Sequence, residues 1–283
     1  MSEPSLTLET QASVLRPQPP VLRYRATLAY DGAAYQGFQR QAAGIPSIQA
    51  AVERAIQRVT GQTVTVVGAG RTDTGVHATG QVIAFDVAWT HGDAALLRAL
   101  NSRLPDDIAL QDLAAAPNTF QPRFEASSRV YRYHVYAASQ RHPAMARTTW
   151  QIRGVRDEAG LHRGAACLVG RRDFAALGHA PDVKSVNTVR TVWVSAWTRE
   201  PLYAGMLWTY TVEADAFLQH MVRRMVGMLM DIGRGWRTVA QLEQTLARAQ
   251  LGADRWSTAP PQGLTLEQVK YDREQRGGRP SED

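Results

Sequence analysis

Apolar and polar positions along the chain repeat with two different periods, and each change of period marks an element. Over residues 21–30 they alternate one by one, with Tyr24, Ala26, Leu28 and Tyr30 on one side, which is the period of a strand. Over 48–59 the apolar residues recur at three and four (Ile48, Ala51, Val52, Ala55, Ile56, Val59), which predicts an amphipathic helix. Strands are predicted over 63–67 and 81–87, a helix over 93–102, and a strand over 108–113. The order is β-α-β-β-α-β.

The same order recurs downstream. Residues 129–136 alternate as a strand and 158–169 suit a helix. The β-branched and aromatic runs 188–197 and 207–214 predict a hairpin. Residues 217–232 read as a strong helix through Phe217, Leu218, Met221, Val222, Met225, Val226 and Leu229. A short helix over 239–249 and a strand over 264–271 follow. The expected fold class is α+β: two ferredoxin-like (RRM-like) halves with one joined, mostly antiparallel sheet and a central active-site cleft. The expected division is a disordered tail over 1–20, an N-terminal domain over 21–125 with the catalytic loop, a C-terminal domain over 126–275, and a disordered tail over 276–283. No residue-level repeat accompanies the repeated architecture.

At 283 residues the chain is long enough for two modest domains, each with its own core. No window approaches the ~18 consecutive apolar residues of a membrane span, and residues 1–20 lack a basic-then-apolar leader. The expected compartment is therefore the cytoplasm, with no membrane partner. Cys167 is the only cysteine, which excludes an internal disulfide framework and a Cys-rich zinc site.

Charge changes the picture further. The net charge is +6, and of the 32 cations only Lys184 and Lys270 are lysine, leaving 30 arginines. Arginine grips phosphates with two parallel N–H groups and stacks on bases, so this surface suits a nucleic acid. A GC-rich genome would produce the same bias, and composition leaves both readings open.

The densest chemistry lies in Gly68-Ala69-Gly70-Arg71-Thr72-Asp73-Thr74-Gly75-Val76-His77-Ala78-Thr79-Gly80-Gln81. Four glycines between two strands describe a backbone that turns tightly or lies against a ligand. As a phosphate loop the segment fails, because Val76-His77 stands where Lys-Ser/Thr is required. As a metal site it offers only Asp73 and His77, with no second cluster to complete the shell. An ordinary hairpin turn remains open, since turns favour Asp. The other open reading is a lone carboxylate acting as nucleophile or base, kept ionised by neighbouring arginines.

The run Gly70-Arg71-Thr72-Asp73-x-Gly75-Val76-His77-x-x-Gly80-Gln81 resembles the signature of the TruA-type tRNA pseudouridine synthases. Further stretches agree in order and spacing: Tyr30-Asp31-Gly32-x-x-Tyr35-x-Gly37-x-Gln39-x-Gln41, Leu100-Asn101-x-x-Leu104-Pro105-x-Asp107-Ile108 and Phe120-x-x-Arg123-Phe124-x-Ala126. Arg129-x-Tyr131-x-Tyr133, Phe217-Leu218-x-His220-Met221-Val222-Arg223 with Gly227, and Ala259-Pro260-Pro261-x-Gly263-Leu264 complete the set. The resemblance spans about residues 23–271.

That resemblance implies isomerisation of uridine to pseudouridine at positions 38, 39 and 40 of the tRNA anticodon stem-loop, without metal or organic cofactor. It implies Asp73 as nucleophile, Arg223 as its basic partner, Tyr131 against the flipped base, and Arg71 beside the nucleophile, filling the vacated space. Arg224 stands where the family often has Asn, so which guanidinium reaches Asp73 is open. His220 is expected to be structural or RNA-contacting. Arg40, Arg123, Arg129 and Arg132 are candidate phosphate contacts. A homodimer that shares one tRNA is also implied.

Two rivals stay in view. A tRNA-binding module would bind without modifying and would not need Asp73, and neither half has an RNP1 run of aromatics. A metal-dependent nuclease would be EDTA-sensitive and would cut the strand.

Overall fold

The computed structural model describes residues 20–178, 187–252 and 254–271. The two predicted tails, Pro20 apart, lie outside the described residues. The first elements in chain order are β1 (Val21–Tyr30), α1 (Ile48–Thr60), β2 (Val67–Gly68), β3 (His77–Ala88), α2 (Asp93–Asn101) and β4 (Ile108–Ala116). Then come β5 (Ser128–Ala137), β6 (Trp150–Ile152), α3 (Glu158–Cys167), β7 (Gly170–Asp173), β8 (Val189–Leu202) and β9 (Gly205–Ala214). The last are α4 (Met221–Gly233), α5 (Val239–Arg248) and β10 (Leu264–Lys270).

All ten strands join one mixed, mostly antiparallel sheet in the order β4-β1-β3-β10-β5-β9-β8-β7, with β2 paired to β3 and β6 to β5. The α+β class expected from the periodicities is what the chain forms. Alternate residues of β1 (Tyr24, Ala26, Leu28) and β9 (Trp208, Tyr210, Val212) are buried in one continuous core. The other face stays polar, carrying Arg25, Arg132 and Glu267.

Local signals set the helix ends. The Ser47 hydroxyl accepts from Ala50 N at the start of α1, and Gly61 closes it in the left-handed region. Thr238 and Gln241 cap α5 reciprocally.

Three expected boundaries are corrected. Of the strand predicted over 63–67 only Val67 joins the sheet, together with Gly68 beyond it. The backbone before it is satisfied by side chains of α1 instead: Val66 N donates to Glu53 Oε1 at 3.1 Å, and Gln49 Nε2 donates to Val66 O at 3.1 Å. The strand predicted from 81 begins at His77, because β10 lies parallel to it, Thr265 beside His77 and Leu266 beside Ala78. The helix predicted from 217 begins at Met221, since His220 is left-handed at φ 62° and breaks the helical run. The backbone of Leu218 and Gln219 lies against Gly178 there, where a Cβ would sit 2.6 Å from Gln219 O.

Gly80 makes the β3–β10 contact possible. A Cβ at Gly80 would lie 2.0 Å from Glu267 O, which no rotamer relieves. Gly80→Ala is therefore expected to destabilise the protein by about 1–3 kcal/mol. Urea unfolding measures this, and a midpoint equal to that of the parent contradicts it.

Candidate active site

The loop between β2 and β3 is pinned residue by residue. Ala69 N donates to Val82 O at 2.8 Å. The Gln81 side-chain amide serves both backbone groups of Gly70, accepting from its N at 3.2 Å and donating to its O at 2.8 Å. The Thr72 hydroxyl lies 2.8 Å from the buried Tyr30 phenol, and Thr72 O accepts from Phe38 N at 3.1 Å. Phe38 can come that close because Gly37 precedes it: Gly37 sits at φ +89°, and a Cβ there would lie 2.8 Å from Thr72 O. Arg71 and Asp73 thus flank a fixed Thr72 and open into one cleft of about 610 Å³.

Across that cleft stand residues of the α4 entry. His220 Nε2 lies 3.6 Å from Asp73 Oδ2, and Arg223 Nη1 lies 4.0 Å from the same oxygen. The left-handed turn at His220 delivers the imidazole, so the residue expected to be structural or RNA-contacting is the nearer of the two. Arg223 is itself steered: its Nε donates to Ala259 O at 2.8 Å, and Ala259 N donates back to Arg223 O at 3.0 Å. Arg224 turns away, with Nη1 donating to Leu177 O at 2.9 Å and Gln219 O at 3.1 Å. Burial, and then the like charge of Arg223, lower the Arg224 pKa, against the pull of Asp73.

Tyr131 lines the cleft while 91% buried, its relative exposure being 9%. Its ring meets Phe217 edge to face, with centroids 5.1 Å apart. Burial pushes the phenol pKa up to about 12, with Arg129 opposing and Asp73 reinforcing the shift. The phenol is neutral throughout the physiological range. Tyr133, two residues on and on the same side, packs deeper and donates to Pro260 O at 2.7 Å.

Six arginines line the cleft (Arg40, Arg71, Arg123, Arg129, Arg190 and Arg223), and Asp73 is the one carboxylate among the described lining residues. The expected phosphate contacts separate on inspection. Arg40 pairs with the buried Glu53 at 2.8 Å. Arg129 donates to four backbone carbonyls, those of Arg123, Asp215, Ala69 and Ala126, and burial lowers its pKa. Arg132 lies on the opposite face of the sheet, paired with Glu267 at 2.6 Å, and is not brought to the site. Arg123 stands over the exposed Phe124 ring, 5.8 Å from its centroid. Arg71 is exposed, with no side-chain hydrogen bond or ion pair to a described residue.

His77 does not join Asp73. Its Nδ1 accepts from Gly32 N at 3.2 Å and its Nε2 faces Arg147 O at 3.0 Å. Among the described residues, no three His, Cys, Asp or Glu side chains are grouped to hold a metal. Sequence reasoning missed Arg190, which sits in a β-branched run with no local signal. It assigned Phe217 to a helix, whereas Phe217 walls the cleft.

The chain matches the family model described as tRNA pseudouridine synthase over residues 26–125 and 165–272. It belongs to that family. A tRNA pseudouridine synthase A of Myxococcus xanthus is 38% identical over 249 residues, 88% of this chain and 92% of the relative. One of Neisseria gonorrhoeae is 37% identical over 250 residues, again 88% and 92%, and one of Syntrophotalea carbinolica is 39% identical over 251 residues, 87% and 95%. The pseudouridine synthase family is one of isomerases. A crystal structure of a Cbf5-Nop10-Gar1 complex aligns at 11% identity and a TM-score of 0.33 over 73% of this chain and 45% of that one, too slight to inform the fold. Among the described residues no helix is long and apolar enough to cross a membrane.

Arg129 ties the pinned loop to β5 and to the segment before it, so its loss strands four carbonyls around one buried space. Arg129→Met is expected to cost about 3 kcal/mol of stability. The measurement is the urea midpoint, which an idle surface arginine would leave unmoved.

Proposed function

We propose that this chain isomerises uridine to pseudouridine at positions 38, 39 and 40 of the tRNA anticodon stem-loop, with Asp73 as nucleophile, base flipping and no cofactor. The observation that carries the reading is the placement of Asp73. Asp73, the one carboxylate among the described lining residues, opens into a cleft that holds six arginines, near His220 and Arg223 and beside Tyr131.

In the reaction the bond from ribose to the ring nitrogen breaks, the uracil turns, and a ring carbon bonds to the same ribose carbon. That ring carbon loses its proton and the freed nitrogen gains one, so the mass is unchanged. A carboxylate that forms a transient ester or adduct and then leaves suits this sequence. Arg223 brings its positive charge to 4.0 Å from Oδ2, and the His220 ring nitrogen stands 3.6 Å from the same oxygen.

The target base must leave its stack, at a cost of a few kcal/mol. Arg71 projects from the loop two residues before Asp73 and can occupy the vacated space. Tyr131 offers a ring whose neutral phenol faces the same cleft. The arginine lining favours the polyanion and concentrates it at the site.

The strand orders β4-β1-β3-β2 and β10-β5-β9-β8 each follow the split βαβ pattern and support two ferredoxin-like halves. The division into 21–125 and 126–275, the homodimer and the cytoplasmic compartment, where tRNA resides, belong to the same proposal.

Asp73→Asn and Asp73→Ala are expected to lower pseudouridine formation at least 10³-fold in carbodiimide-labelled tRNA, with tRNA binding retained. Measurable turnover by a folded Asp73→Ala protein overturns the nucleophile role. Tyr131→Phe is expected to keep tRNA affinity within about twofold, and Tyr131→Ala to lose roughly 1–3 kcal/mol of stacking. Equal losses in the two variants, read by fluorescence anisotropy, contradict the stacking role.

A further inference from the structure

Three of the six cleft arginines are already tied down. Arg40 holds Glu53, Arg129 holds four carbonyls, and Arg223 holds Ala259 O and faces Asp73. Arg71 and Arg123 reach solvent. Arg190 is different in kind. It enters from β8, beside the turn that carries Ala216 and Phe217, and lines the same cleft as Asp73. Its Nη1 donates to Asn187 O at 2.9 Å and to Val189 O at 2.7 Å, which fixes the plane of the guanidinium. Its Nε is buried without a hydrogen-bond partner among the described residues.

No carboxylate among the described residues lies within ion-pair distance of Arg190. The acid that acts on it electrostatically is Asp215, whose Oδ1 already accepts from Thr191 N at 3.1 Å and Ala216 N at 2.7 Å. Burial lowers the Arg190 pKa, which expresses a cation partly stripped of water and not repaired by an anion.

We propose that Arg190 grips a backbone phosphate of the RNA next to the nucleotide presented to Asp73. The inference rests on the reading of this cleft as the site of tRNA isomerisation. A phosphodiester fits because the guanidinium is held in place by carbonyls that leave its charge uncancelled, and Nη2, which makes no hydrogen bond to a described residue, is the nitrogen left for an oxygen of the anion. Arg190 comes from β8 and Asp73 from the loop before β3, so one RNA segment touching both spans the cleft. Arg190 is thus a substrate-positioning residue, and Asp73 performs the chemistry.

The test is tRNA binding across a range of salt, in an Asp73→Asn background that holds the substrate unmodified. Arg190→Gln is expected to weaken binding about five- to tenfold at 0.1 M salt and to reduce the slope of log K against log salt by about one. Arg190→Lys keeps the charge, so it is expected to keep the slope and lose about two- to threefold in affinity. An unchanged slope and affinity in Arg190→Gln overturn the proposal. So does an equal fall of slope in both variants, which would make Arg190 a brace for the 187–189 backbone. Should Arg190→Gln fail to fold, Arg190→Lys decides: undiminished affinity overturns the phosphate grip. Parent protein that shows no salt-dependent tRNA binding overturns the functional reading itself, a result distinct from an unchanged slope on binding parent protein.

Discussion

A parallel contact only two residues long, Thr265 beside His77 and Leu266 beside Ala78, makes the sheet continuous from β4 to β7. Everything at the site inherits its geometry from this seam. It sets β3 next to β10 and β10 next to β5, so the loop that precedes β3 lies over the strand that carries Tyr131. Two backbone pairs hold little free energy by themselves. The seam persists because it is dry and closely packed, with Ala78 and Leu266 both buried and Gly80 admitting Glu267 O at a distance no side chain allows. The bulge in β10 between Leu266 and Gln268 falls beside Gly80, where the close approach demands it.

The second constraint is electrostatic. Crowding six guanidinium groups into one cleft is costly, and the chain relieves most of that cost with backbone carbonyls instead of acids. Arg129 and Arg223 are oriented by carbonyl oxygens, and Arg40 alone of the six pairs with a glutamate. This arrangement keeps the cleft positive, because a carbonyl fixes a cation without cancelling it. The charge therefore remains available to a polyanion, and Asp73 is left as the sole negative centre among the described lining residues. Its neighbours His220 and Arg223, at 3.6 and 4.0 Å, stand off slightly, so the carboxylate faces them without being locked into a tight pair.

Much of this was legible before any coordinates. The alternation of Tyr24, Ala26, Leu28 and Tyr30 specified β1 to the residue, and the three-and-four spacing from Ile48 to Val59 specified α1 to within one residue, because period is local physics. The cleft loop stood out through its glycines and its single acid. What failed did so for nameable reasons. Residues 63–66 have strand composition, yet Val66 finds its backbone partners in the side chains of Glu53 and Gln49, and a side chain that replaces a strand leaves no periodic trace. Phe217 and Leu218 continue the helical spacing of Met221 and Val222, and only the left-handed His220 breaks the run.

The chain's own order of residues thus settled its class, most element boundaries, the loop that holds Asp73 and the family to which it belongs, since propensity, patterning and motif are written within short windows. Which cations face that acid was settled by folding. Arg223 and Arg224 are neighbours in sequence and diverge in space, Arg129 became a strut, Arg132 went to the far face, and Arg190 arrived from a strand with no distinguishing mark. An arginine's role depends on which carbonyl, carboxylate or open cleft its long side chain meets, and several of those partners, such as Leu177 for Arg224, Ala259 for Arg223 and Glu267 for Arg132, lie tens of residues away along the chain.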